Sequence, residues 1–332
     1  MKGAEPVKKL TKQLLCIGSL SAMFLAFDLG IYHCFTKRCT ETESAEFQAK
    51  SVEVSAYLPF DADSAIVRHR SEVQLTGDLP VMDGAAALFP MYSAFAHALY
   101  PEDSCPYAEG DFLPESAVQF RNTGDAYRAI ADGTADVIFC ARPAEYQLQY
   151  AADRNVELVF QPIGKEAFVF VVNSQNPVNT LTCQQVRGIY SGEYTNWSQL
   201  GGENTPIAAL QRIHGSGSQS VMESFMGEVP MVKDYDTFLG RAIGFSFRYY
   251  VEGIVEKGGV KLLSLEGIAP TAENIRNGSY PVVSEIYAIY RKDDTSENLA
   301  QLLTWIMSDE GQRIVEETGY VPYTAAPVTF SE

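Results

Sequence analysis

Ala167-Phe168-Val169-Phe170-Val171-Val172 is the most strongly β-prone run in the chain, and the polar, proline-bearing stretch Asn173 to Pro177 breaks it. A second run of the same kind spans Tyr280 to Arg291. The residues between them are enough for a lobe of their own, with their own alternation of strand and helix patterns. The two runs are therefore read as crossovers joining two α/β lobes. Residues 52–165 with 290–332 are assigned to the first lobe, and residues 166–289, including both crossover strands, to the second. In such lobes ligands sit beyond the carboxyl ends of strands, which directs attention to the turns that feed helices.

The clearest of those turns lies in the second lobe. Ile207, Ala208, Ala209 and Leu210 form a short buried strand, Gln211-Arg212-Ile213-His214-Gly215-Ser216-Gly217-Ser218-Gln219 follows, and Val221, Met222, Phe225 and Met226 then recur at helical spacing until Gly227. At a strand-to-helix turn the first N–H groups have no carbonyl partner and the helix dipole is positive. Serine hydroxyls and a guanidinium complete a cradle for a tetrahedral oxyanion. Composition alone also permits a flexible Gly/Ser linker; the strand before it, the helix after it and Arg212 favour the cradle.

The first lobe offers further turns. Leu79 to Met82 leads into Asp83-Gly84-Ala85-Ala86-Ala87, and Pro90 suits the first turn of a helix running through Met91 to Leu99. This is either a second anion-facing helix start or a packed turn with an acidic cap. Val118-Gln119-Phe120 reads as a strand, Asn122 to Asp125 as a turn with Thr123 able to cap, and Ala126 to Ala131 as a helix ended near Gly133. A strand at Asp136 to Cys140, the loop Arg142-Pro143, a helix around Glu145 to Asp153 and a strand at Val156 to Phe160 follow, an alternation that predicts a largely parallel sheet. The tail adds amphipathic helices from Asn298 and Gly311, stopped at Gly319-Tyr320-Val321-Pro322.

The 332 residues are 46% hydrophobic, which suits a folded, two-lobed chain rather than a disordered one. With 25 Lys plus Arg against 42 Asp plus Glu, the formal charge of −17 disfavours nucleic acid and obliges any anion to be held by a local site. Residues 1–13 carry Lys2, Lys8, Lys9 and Lys12 and are read as cytoplasmic; 14–31 is a mostly apolar run with Asp28 as its single charge; 32–51 is a polar, acidic tether. The expectation is a single-pass membrane anchor with the body outside, the alternative a signal segment whose cleavage leaves a secreted protein. Cys16, Cys34 and Cys39 follow Leu15, His33 and Arg38, which does not suit a lipidated cysteine, and Cys105, Cys140 and Cys183 show no paired spacing. His33, His69, His97 and His214 lack metal-ligand spacing, so neither a metal nor a cofactor is expected.

These residues together resemble the phosphate-binding proteins of bacterial ABC phosphate importers (PstS-like), and more closely their membrane-associated relatives in Gram-positive bacteria. The resemblance runs from Val52 to Tyr323. It rests on Asp83-Gly84 before Phe89-Pro90, Asp136 to Phe139 with Pro143, Asn196-Trp197, the cradle, Gly278 to Pro281, and Gly311-Gln312 with Gly319 to Pro322. It implies the hinged, two-lobed type II periplasmic-binding-protein fold with an interlobe cleft. In the family an arginine and the Ser, Gly and Ser/Thr that follow it contact phosphate, which places Arg212, Ser216, Gly217 and Ser218 at the ligand; Thr123 keeps the hydroxyl expected at the third turn. Where relatives carry Ser and Thr after Asp-Gly, this chain has Ala85 and Ala86, leaving backbone N–H groups only, and a buried ligand oxygen short of a donor costs about 1 to 3 kcal/mol. Where relatives place a carboxylate that accepts the ligand proton, this chain has Ala141-Arg142-Pro143. The expectation is weaker phosphate binding or a preference for a fully ionised oxyanion such as sulfate, with Arg142 supplying charge.

The resemblance thus implies a monomeric extracytoplasmic receptor that presents phosphate or a similar oxyanion to an ABC permease. A module that kept the fold for sensing or architecture is the alternative. Enzyme chemistry is not expected: Ser216 or Ser218 with His214 lie too close along one turn for triad geometry, and no nucleophile elbow is present.

Overall fold

The computed structural model describes residues 52–212, 216–232, 241–254 and 259–323. The apolar run at 14–31, with the termini and tether around it, lies outside the described residues, as do Ile213, His214 and Gly215. Among the described residues no helix is long and apolar enough to cross a membrane.

Twelve strands are described: β1 (Met82–Gly84), β2 (Tyr107–Ala108), β3 (Asp111–Phe112), β4 (Val137–Cys140), β5 (Leu158–Asn173), β6 (Thr180–Leu181), β7 (Ile207–Ala209), β8 (Arg241–Phe247), β9 (Val260–Leu262), β10 (Ser264–Leu265), β11 (Val283–Arg291) and β12 (Val321–Pro322). The helices are α1 (Phe89–Leu99), α2 (Thr123–Asp132), α3 (Glu145–Ala152), α4 (Cys183–Ser191), α5 (Gly217–Met226), α6 (Ala272–Arg276), α7 (Glu297–Ile306) and α8 (Asp309–Thr318). The principal sheet runs β1-β4-β11-β5-β8-β7, with β12 and β9 also paired to β5.

β5 organises this arrangement. It is a single strand of 16 residues that absorbs both the expected strand at Val156 to Phe160 and the run Ala167 to Val172. Its first part pairs antiparallel with β11, from Leu158 opposite Arg291 to Ala167 opposite Val283. Its second part pairs antiparallel with β8, from Phe168 opposite Phe247 to Val172 opposite Ile243. The sheet is mixed, not largely parallel as the alternation suggested. Parallel pairing is confined to β1 with β4 and β7 with β8, while β4, β11, β5 and β8 are joined antiparallel. The far half of β11 pairs with β4, so the expected boundary at 289/290 falls inside one continuous strand. Val118 to Phe120 lies alongside β1 through the Met82–Val118 bridge and the Gln119 N–H on Met82 O (2.8 Å), without becoming a full strand.

Each lobe has its own aromatic core. In the first, Tyr92 of α1 stacks on Phe139 of β4 (ring centroids 5.4 Å apart), and Phe95 meets Trp305 of α7 edge-on at 6.0 Å. In the second, Phe170 of β5 packs on Phe225 of α5 (5.5 Å) and Tyr190 of α4 on Phe245 of β8 (5.6 Å). Interlocked rings of this size carry most of the burial energy of such lobes. Trp197 is fully buried, with its indole N–H on Arg241 O at 2.9 Å, which fixes the Asn196-Trp197 loop to the start of β8. Cys140 is a buried member of β4, as expected of a small apolar side chain, and burial pushes its thiol upward. Burial likewise pushes the Cys105 thiol up to about 11.

The changeover between the two halves of β5 is marked by Glu166, a buried carboxylate. It accepts the N–H of Ala167 (2.8 Å) and of Tyr249 (3.3 Å) and lies 3.4 Å from Arg248 Nε, close enough for attraction but not aligned as a hydrogen bond. Arg248 also pairs with Glu252 (2.7 Å) and donates to Gly319 O (2.5 Å). Burial raises the Glu166 pKa to about 7, against the lowering pull of Arg248 and the two N–H groups. A folded-state value above the unfolded 4.5 means that the folded protein holds this proton more tightly, so the contribution is present below pH 4.5 and is lost as pH rises to about 7. The stability difference between wild type and Glu166→Gln is expected to shift against wild type across that window, with a ceiling of about 3 kcal/mol at roughly 1.4 kcal/mol per pH unit. Urea unfolding of both proteins from pH 4.5 to 8 checks it; parallel curves would refute the assignment.

Candidate functional site

The strand and the helix that flank the expected cradle are β7 and α5. Ser216 is the N-cap of α5 and its Oγ accepts the Gln219 N–H at 3.2 Å, while Met222, Phe225 and Met226 face inward and Gly227 closes the helix. Gly217 and Ser218 are the first two helical residues, so their N–H groups have no carbonyl partner within the helix. Gln219, which sequence reasoning left without a role, is buried and turns back: its Oε1 accepts the Arg212 N–H at 3.0 Å and its Nε2 donates to Glu223 at 3.3 Å. The loop is thereby pinned to its own helix across the residues that lie between them. The Arg212 guanidinium hydrogen-bonds the Tyr250 hydroxyl, a partner the sequence gave no signal for. Burial raises the Tyr250 pKa, and Arg212 counteracts it.

The lobe-1 turn is built on Asp83. This side chain is fully buried; its Oδ1 accepts the N–H of Gly84 (2.8 Å) and of Arg121 (3.1 Å), and its Oδ2 accepts Nη1 of Arg121. Burial pushes its pKa up, and Arg121 together with those N–H groups pulls it down. The chain approaches β4 so closely here that a Cβ on Gly84 would stand 2.4 Å from Phe139 O, which excludes any side chain. The next N–H, that of Ala85, is committed to Phe139 O at 2.9 Å. Ala85 was expected to offer its N–H to a ligand; it has none to offer, because that group extends the β1–β4 ladder. Ala86 and Ala87 open the 3-10 turn Ala86–Leu88 ahead of α1 with no side-chain cap. Tyr320 OH on Ala87 O (2.5 Å) holds the turn from behind.

At the third turn Asn122 is the N-cap of α2, its Oδ1 accepting the Asp125 N–H at 3.0 Å. Thr123 was expected to cap; it is the first helical residue instead, nearly buried, with its hydroxyl released from that duty. This hydroxyl meets the cradle: a Cβ added to Gly217 would lie 3.3 Å from Thr123 Oγ1 and 3.8 Å from the Phe247 ring. Helix starts from the two lobes therefore face each other at close range. Arg142 is not in this group. It is exposed, and its charge acts on the Tyr287 hydroxyl, which donates its hydrogen bond to Glu285. Its expected place at the ligand has no support in these contacts. Among the described residues no cluster of His, Cys, Asp and Glu is placed to hold a metal ion.

What the arrangement offers among the described residues is a set of N–H and O–H donors from two helix starts, with Arg121 tied to one side and Arg212 to the other. A sequence profile described as the PBP superfamily domain matches residues 81–310. The chain is 22% identical to Protein SphX of Synechococcus elongatus over 310 residues, covering 82% of this chain and 87% of the relative. It is 23% identical to the phosphate-binding protein PstS of Bacillus subtilis over 289 residues, covering 81% and 87%. Among solved structures, a putative phosphate ABC transporter substrate-binding protein with bound phosphate from Clostridium perfringens shares the fold at a TM-score of 0.57 and 20% identity, over 74% of this chain and all of that one. An ABC-type phosphate transport receptor from Vibrio cholerae does so at 0.53 and 22%, over 73% of this chain and 99% of that one. Because the profile runs without interruption from β1 into α8 and takes in every turn described above, this chain belongs to the family of PBP superfamily domains.

Proposed function

We propose that this protein is an extracytoplasmic solute receptor that closes two lobes over phosphate or a similar tetrahedral oxyanion and delivers it to an ABC importer, with the run at 14–31 as its membrane anchor. The observation that carries the reading is the approach of Gly217 to Thr123: two helix starts, those of α5 and α2, so close that a Cβ on Gly217 would stand 3.3 Å from Thr123 Oγ1, with helix-start N–H groups that have no carbonyl partner on the α5 side. Helix N-termini and charge-assisted hydrogen bonds favour an anion there, and closure needs no chemistry on it. The name of the phosphate-binding protein PstS supports the same ligand, and those of the two solved phosphate ABC transport receptors support the same ligand and partner. Ligand contacts are assigned to Arg212, Ser216, Gly217, Ser218, Thr123 and the N–H of Ala86.

A second reading has one observation in its favour. The lobe-1 turn has lost its hydroxyls at Ala85 and Ala86, and the Ala85 N–H is spent on β4, so a module that kept the fold for sensing, with weak ligand affinity, also fits.

Thermal unfolding of the purified protein separates the two. A ligand that binds only the folded state adds about 2.7 kcal/mol at 100 times its dissociation constant, so phosphate or sulfate is expected to raise the midpoint in that proportion. No response to either anion would leave only the second reading. Arg212→Ala is expected to weaken binding by between about tenfold and about a hundredfold, as loss of a hydrogen bond to a charged ligand does, with the unliganded midpoint nearly unchanged. Isothermal titration measures it. Gly217→Val places a branched side chain against Thr123 and Phe247, and is expected to reduce anion affinity by more than tenfold through blocked closure, an order of magnitude set by about 1.4 kcal/mol of overpacking. Small-angle scattering with and without ligand would then show compaction in wild type and none in the variant.

A further inference from the structure

The lobe-1 face of the cleft is short of donors at Ala85 and Ala86, yet a strong donor stands between its two turns. Arg121 ends the segment that runs beside β1, and it precedes Asn122 and Thr123 at the start of α2. Its backbone N–H and its Nη1 both bond Asp83, the buried carboxylate of the neighbouring turn. The guanidinium therefore bridges the Asp83 turn and the α2 start, the same two turns from which ligand donors are expected. Its side chain stays 33% exposed while Asp83 is sealed, and among the described residues its Nε and Nη2 meet no partner.

We propose that Arg121 is the first lobe's arginine ligand for the anion, the counterpart of Arg212 in the second, and that its outward N–H groups stand in for the hydroxyls missing at Ala85 and Ala86. The inference rests on the oxyanion reading above. Asp83 acts as a positioning residue. It accepts three hydrogen bonds and cannot swing, so it fixes the plane of the fork, and a guanidinium held at one edge presents the other edge in a set direction. The Asp83 charge also cancels that of Arg121, so what Arg121 supplies is directed donors rather than net attraction. That suits a site in a protein of net charge −17, where a free cation would draw a neighbouring carboxylate instead. Arg142, by contrast, stands exposed, with its charge acting on the Tyr287 hydroxyl. The ligand class that follows is a small tetrahedral oxyanion approached by guanidinium N–H groups from opposite lobes.

Two variants separate a ligand role from a merely structural one. In the double variant Asp83→Asn with Arg121→Gln, neither partner is left as an unpaired buried charge, so the fold has no uncompensated group to expel. Arg121→Lys keeps a positive charge beside Asp83 and loses the fork. Titration calorimetry with inorganic phosphate and with sulfate on the full chain is the measurement, alongside the unliganded unfolding midpoint. The expected result is a dissociation constant raised by about tenfold in Arg121→Lys and by up to about a hundredfold in the double variant, with Arg121→Lys unfolding near the wild-type midpoint. Wild-type affinity in Arg121→Lys or in a folded double variant would overturn the inference while leaving the receptor reading intact. A wild-type protein that binds neither anion would overturn both.

Discussion

The backbone ladder of β5 is the constraint on which the two lobes depend. One strand carries the pairing of both halves, so neither half can shift register without dragging every side chain of the other to the opposite face of the sheet. Freedom is confined to the point where its partner changes from β11 to β8. A ladder interrupted there leaves N–H groups in need of acceptors, and the buried Glu166 meets that need at Ala167 and Tyr249. Gly319 O takes Arg248 beside it, and Tyr249 packs on Tyr320 with ring centroids 4.6 Å apart. The hinge region is thus a polar knot between aromatic rings, which defines an axis better than a flexible loop does.

On either side of that axis the cationic groups of the cleft are restrained in the same manner. The Arg121 guanidinium is held by Asp83, that of Arg212 by Tyr250 while Gln219 holds the Arg212 backbone N–H, and that of Arg248 by Glu166 and Glu252. In a chain with a large acidic excess the field at long range opposes an anion, and recognition falls to short-range donors whose directions are already set. Preorganisation of this sort keeps the entropy cost of closure low, because few side chains remain to be ordered when the lobes meet.

Much of this was legible in the sequence where local rules decide. α5, α1 and α2 lie where caps, Pro90, Gly133 and Gly227 put them, since helix ends are written by a few residues nearby. The continuity of β5 was not legible because Pro162 and Gly164 read as breaks. The structure absorbs them in an irregularity: Ile286 faces Gly164 and Tyr287 faces Pro162, so Ile163 is left over as a bulge, a position where proline needs no partner for its nitrogen. The antiparallel centre of the sheet was likewise hidden, because alternation of strands and helices along the chain does not say which strands become neighbours. At the site, the cradle was readable as a pattern. Arg121, Gln219 and Tyr250 were not, since each acquires its role from a partner distant in the chain or one turn along a helix.

The assignment of the α2 cap to Asn122 has a consequence for how this cleft changes over generations. The cap of α2 is vested in Asn122, and the hydroxyl of the adjacent Thr123 has no part in it. At the Asp83 turn the fold needs Gly84 and the Ala85 amide, neither of which depends on a hydroxyl at Ala85 or Ala86, whose methyl groups pack on the core. Selection is therefore free to trade hydroxyls for methyl groups, or one anion for another, without first having to compensate a loss of foldability. A scaffold so divided is evolvable at its site and conservative in its frame.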